Sequence, residues 1–109
     1  MSTAATVLDA LGDGTRRDIV EALATGPASV GDLADRLPVS RPAVSQHLRV
    51  LHDAQLVTVT PQGTRRVYAL DPRGADALRG YLDRMWETAL DRFEAYVDQH
   101  TAQQTRERR

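Results

Sequence analysis

Between Ser40 and Leu51 the chain reads SRPAVSQHLRVL, which threads two hydroxyls, an amide, an imidazole and two guanidiniums through a row of aliphatic residues. At about 100° per residue, Val44, Leu48 and Leu51 share one narrow arc and form an inward helical face. Pro42, Ser45, Gln46 and Arg49 fall on the opposite side, with Arg41 beside them in the first turn and Ser40 as the cap. A face that only has to be solvated is commonly built from Glu and Lys pairs four residues apart. This one has no carboxylate before Asp53. Its groups suit the edges of nucleic-acid bases instead. Gln offers adenine a donor and an acceptor, Arg offers guanine a planar fork, and Ser bonds to a base or a phosphate. Pro42 and the Cβ of Ser45 can meet a thymine methyl. An ordinary surface helix is the competing reading. His47 lies at the edge of the inward arc, where a partly buried bond to a carbonyl and a phosphate or base contact are both open. His52 reads as surface.

A second basic pair follows. VTVT (Val57–Thr60) and RRVYAL (Arg65–Leu70) alternate in polarity as strands do, and Pro61-Gln62-Gly63-Thr64 between them reads as a turn. Arg65 and Arg66 thus stand beside a tight hairpin turn, placed to lie along phosphates or to enter a minor groove. Simple solvation is the alternative for that pair.

Helices must position these groups. Val7, Leu8 and Leu11 give a short apolar face that ends near Gly12. Asp13 can cap a second helix carrying Ile19, Val20 and Leu23, which Gly26-Pro27 stops. Ser29 with Asp32 resembles a capping box for a third helix, with Val30, Leu33, Ala34 and Leu37 inward. Pro38-Val39 breaks that pattern, Ser40 caps the fourth helix, and Pro42 sits in its first turn, where a missing N–H costs nothing. Asp71-Pro72 opens a long last helix, on which Leu78, Leu82, Met85, Ala89, Phe93 and Tyr96 form one stripe flanked by Trp86 and Val97. The expected fold is mainly α with a small β-hairpin, in the order α-α-α-α-β-β-α of a winged helix-turn-helix. A single domain would span 1–109, with the helix-turn-helix at 29–54, the wing at 57–70, a dimerisation helix at 72–100 and a polar tail at 101–109.

Charge is segregated along the chain. Net charge is −1, yet residues 36–66 carry five arginines against Asp53 alone, while residues 1–35 carry two arginines against six carboxylates. Such segregation can mark an anion-binding face. All the basic residues are Arg, for which a codon-usage bias is the plainer explanation. Without cysteine, disulfides, thiol redox sensing and thiolate metal sites are excluded. No apolar run approaches the roughly 20 residues that cross a bilayer. The N-terminus lacks the pattern of a secretory signal, so a cytoplasmic location is expected.

The segments LGDGTRRDIVEAL, SVGDLADRLPVSRPAVSQHLRVLHDAQLV, GTRRVYALDP and MWETALDRF resemble the ArsR-type winged-helix repressors, in particular their cysteine-free, autorepressor-like branch. The resemblance runs from about Leu8 to Val97. It implies a homodimer on a partly palindromic double-stranded DNA operator, with the Ser40–Ala54 helix reading the major groove and the Gly63–Arg66 wing on the flanking backbone. It also implies a dimer interface from the first and last helices, here Leu8, Leu82, Met85, Trp86, Ala89 and Phe93. The length of the apolar stripe supports this independently, because it exceeds what so small a domain covers by itself.

Metal-sensing branches of that family place cysteines in the third helix, or paired Asp/His and His/Glu ligands in the last. The third helix here, SVGDLADRL, has no cysteine. Asp98-Gln99-His100 keeps an Asp-x-His spacing without the matching His-x-x-Glu pair. No metal site and no cofactor are expected, and the effector is left open. Neither a nucleophile with its base nor a phosphate loop is visible, so an enzyme is not expected. The remaining rival is a winged-helix dimerisation module that binds a protein partner and no specific DNA. It gives no reason for Arg41, Gln46, Arg49, Arg65 and Arg66 to converge.

Overall fold

The computed structural model describes residues 3–107. The elements run α1 (Ala4–Ala10), α2 (Gly14–Ala24), β1 (Ala28–Ser29), α3 (Val30–Arg36), α4 (Arg41–Asp53), β2 (Val57–Gln62), β3 (Arg65–Leu70) and α5 (Pro72–Glu107). The helix starts stand where the sequence sets them. Asp13 and Ser40 each accept a backbone N–H three residues on, as expected, and Thr3 does the same for α1, which the sequence reading left without a cap. Ser29 and Asp32 close a full capping box over the first turn of α3.

The expected hairpin is one part of a three-stranded antiparallel sheet ordered β1-β3-β2. The additional strand is only two residues long and pairs Ala28 with Tyr68 and Ser29 with Val67. Too short to alternate, it carries no periodicity of its own. The turn is also tighter than the sequence suggests. Pro61 and Gln62 lie within β2, opposite Arg66 and Arg65, which leaves Gly63 and Thr64 as a two-residue loop. Pro61 is tolerated because β2 is an edge strand. Gly63 has φ 62°, a left-handed conformation that costs glycine nothing.

Along the chain two compact units follow one another, Met1–Leu78 and Arg79–Arg109. The first holds the core: Val7, Ile19, Leu33, Val44, Leu48 and Leu51 are fully buried, and Val57, Ala28 and Leu23 nearly so. Each such aliphatic side chain stabilises the fold by about 1.5–3 kcal/mol on burial. The root of α5 is fastened to this unit. The Asp71 N–H donates to the Leu56 carbonyl and the Gly74 N–H to the Gln55 carbonyl, at 2.9 and 2.8 Å. A Cβ on Gly74 would stand 2.7 Å from the Gln55 oxygen, so only glycine allows this approach.

The second unit is a single helical segment. Every side chain from Tyr81 to Ala102 is exposed. The helix continues through Glu107, beyond the boundary expected at Thr101. That stretch contains no glycine or proline and is rich in Gln, Arg and Glu, which are good helix formers. Arg108 and Arg109 of the expected tail lie outside the described residues. No helix among the described residues is long and apolar enough to cross a membrane.

Candidate nucleic-acid interface

The candidate surface is built on α4. Its inward residues Val44, Leu48 and Leu51 are fully buried and fix the rotation of the helix. That rotation puts Arg41, Pro42, Ser45, Gln46 and Arg49 outside, together with the cap residue Ser40, all exposed, while His47 is half-buried at the edge. His52 is exposed, as expected. Solvated guanidinium, amide and hydroxyl groups therefore share one side of a helix whose other side is locked in the core.

The wing meets that side. Ser45, Leu48, Arg49 and His52 of α4 line a groove of ≈ 430 Å³ with Val59, Arg66 and Tyr68 of the wing. Val59 pairs with Tyr68 and Pro61 with Arg66, so these wing residues share one sheet face. Arg49 and Arg66 thus reach one groove from two elements.

Arg65 is placed differently. Its Nη2 donates to Ser29 Oγ at 2.7 Å and to Asp32 Oδ2 at 2.9 Å. The Asp32 carboxylate also accepts the Ser29 N–H at 3.2 Å, and the Ser29 hydroxyl oxygen accepts the Asp32 N–H at 3.1 Å. The bonds from the Ser29 N–H and hydroxyl, with the nearby Arg65 and Arg36 guanidiniums, hold Asp32 below the usual carboxylate range. Arg41 approaches the same turn from α4. Its Nη2 would stand 3.3 Å from a Cβ on Gly31. A cleft of ≈ 470 Å³ results, lined by Arg41, Arg65 and Arg66 together with Asp32 and Asp35.

Two further arginines have structural work that the sequence does not announce. Arg16 Nε donates to the Ala10 carbonyl, and Arg17 Nη1 to the Leu11 carbonyl at 2.7 Å. Both satisfy carbonyls that the end of α1 leaves open. Asp13, which caps α2, is held below its usual range chiefly by the Arg16 N–H, with a smaller contribution from the Thr15 N–H.

The residues expected at a dimer interface are exposed as well: Leu8 in the first unit, and Leu82, Met85, Trp86, Ala89 and Phe93 in the second. Tyr81, Leu90, Tyr96 and Val97 extend the apolar surface of the second unit. Among the described residues, no group of three or more His, Cys, Asp or Glu side chains comes together to hold a metal ion.

Comparison with known proteins supports the fold and places it in a family. The model of the arsR family of bacterial regulatory proteins matches residues 13–59, from the cap of α2 into β2. The HTH-type transcriptional regulator Rv2034 of Mycobacterium tuberculosis is 63% identical over 89 residues, covering 82% of this chain and 83% of that protein. An arsenical resistance operon repressor of Staphylococcus xylosus is 32% identical over 78 residues, covering 72% and 75%. Among solved structures, a possible transcriptional regulator for arsenical resistance superposes with a TM-score of 0.68 at 45% identity, over 82% of this chain and 93% of the other. An ArsR-like transcriptional regulator from Rhodococcus sp. RHA1 gives 0.75 at 33% identity, over 88% and 90%. These relatives are regulators of transcription and not enzymes. The chain belongs to the arsR family of bacterial regulatory proteins.

Proposed function

We propose that this regulator represses transcription as a homodimer on a partly palindromic operator. Ser40, Arg41, Pro42, Ser45, Gln46, His47 and Arg49 of α4 face the major groove, and the wing that carries Arg65 and Arg66 lies over the flanking backbone, which Arg66 contacts. The observation that carries the reading is the shared groove: Arg49 of α4 and Arg66 of the wing line it together, on a helix fixed by three fully buried aliphatic residues. Gln46 and Arg49 supply base contacts, and the wing supplies contacts that do not depend on sequence. A second copy covers the apolar surface of α5 through Leu82, Met85, Trp86, Ala89 and Phe93, with Leu8 of α1. Two-fold symmetry then spaces the two α4 helices about one DNA turn apart, ~34 Å. The repressor would work in the cytoplasm, where bacterial DNA lies.

The reading is tested by selecting duplexes from a random pool with the purified protein and measuring anisotropy at two salt concentrations. Convergence on an inverted repeat, two chains per duplex and affinity that falls steeply with salt are expected. A pool that fails to converge, with equal binding to selected and scrambled duplexes, would favour the protein-interaction module instead.

A further inference from the structure

The sequence offers Arg65 and Arg66 as equivalent phosphate contacts, and their surroundings make them unlike. Arg66 lines the groove beside Arg49. Arg65 lies along the surface, its side chain 59% exposed, and its Nη2 bridges Ser29 Oγ and Asp32 Oδ2. Ser29 is buried and is itself a member of β1, paired with Val67 two residues beyond Arg65. The bridge therefore sits at the end of the short β1–β3 ladder, at the point where the hairpin leaves the body of the protein.

We propose that Arg65 is a positioning residue that latches the wing to the first turn of α3, and that it makes no phosphate contact of its own. This deepens the repressor reading and rests on it. Two physical points favour the latch. A two-stranded hairpin is marginal by itself, and β1 adds only two residues of pairing, so the wing needs another attachment to hold a fixed angle to α4. Drawing Arg65 out to a phosphate would also deprive the Asp32 carboxylate of its ion-pair partner beside an anionic backbone. Partner and carboxylate together gain nothing by that exchange. Arg41 lies close to the same turn, beside Gly31. The first turn of α3 thus joins the two elements that touch DNA, and Asp32 is the acidic residue that DNA binding needs.

The test is a double-mutant cycle on a selected duplex, with amide hydrogen exchange of the wing followed in the free protein. Asp32→Asn keeps an oxygen for the capping box and removes the charge. Arg65→Ala and Asp32→Asn should each weaken specific binding about tenfold, with the pair no worse than either alone. The salt slope should be unchanged, binding to random DNA should fall with specific binding because the wing's contacts do not depend on sequence, exchange across β2 and β3 should quicken in each variant, and Arg65→Lys should recover part of the loss. A salt slope reduced by about one in Arg65→Ala, with a loss that adds in full to that of Asp32→Asn, would make Arg65 a phosphate contact. Tighter binding by Asp32→Asn, or wing exchange that does not change, would equally overturn the latch. Because exchange is read without DNA, a wild-type chain that binds no duplex would sink the repressor reading while the latch is still decided.

Discussion

Two helices carry the accessible chemistry of this protein, and they are built in opposite ways. α4 is 13 residues long, and its apolar face is used up inside its own unit, with Val44, Leu48 and Leu51 fully buried. From Tyr81 onward α5 presents Leu90, Phe93 and Tyr96 at exposures of 53%, 62% and 58%, so its apolar residues lack cover from their own chain. The first arrangement fixes a polar face in space, as a reading surface requires. The second leaves an apolar surface in water, which is stable only when something else takes it up. Amphipathicity alone does not separate the two. What separates them is whether the chain itself supplies the other side.

That contrast predicts that similar substitutions act on different properties. Leu48→Ala should destabilise the fold by about 2–5 kcal/mol, seen as a lower urea midpoint, and should abolish DNA binding through loss of the α4 platform. Phe93→Asp should leave the fold of the first unit intact and convert dimers to monomers in sedimentation. The wild type should melt at temperatures that rise with protein concentration, and the variant should not. A Phe93→Asp protein that remains dimeric would move the interface off α5.

A smaller effect concerns the carboxylates that fasten the first unit. Asp71 is buried at the root of α5. Side-chain bonds from Arg73, and then the Arg73 N–H, hold it below its usual range. Asp13 and Asp32 are lowered as well. A depressed folded-state pKa stabilises the fold above the unfolded value, here 3.8, and that stabilisation is lost as pH falls through the lower folded value. The urea midpoint should therefore be flat from about pH 7 to 5 and fall below about pH 4, with a shallower fall in Asp71→Asn. A decline that begins near pH 6, or one that Asp71→Asn leaves unchanged, would remove these carboxylates from the explanation.

Much of the geometry of α4 and α3 was legible in the sequence because its determinants are local. The cap at Ser40, the arc of Val44, Leu48 and Leu51, and the capping box of Ser29 with Asp32 each lie within a few turns of one helix. Apart from the Arg16 and Arg17 bonds, which span six residues, the features that were not legible depend on residues far apart along the chain. β1 has two residues and is a strand only because Tyr68 and Val67 come alongside it. Asp32 looks like a member of an acidic first third, and nothing in the intervening residues links it to Arg65. Arg16 and Arg17 look like generic charge until the end of α1 is in place to receive them. The missing side chain of Gly74 lets α5 approach the Gln55 carbonyl, 19 residues earlier in the chain.

The central claim is that the outer face of α4 reads bases. The most direct test compares Gln46→Ala and Arg49→Ala with wild type on the selected duplex and on its single-base variants. Each substitution should relax preference at one position in each half-site by about 1–3 kcal/mol, while binding to random DNA changes far less. Equal weakening on specific and random duplexes would show that α4 contributes only charge, and would contradict a base-reading role for its outer face.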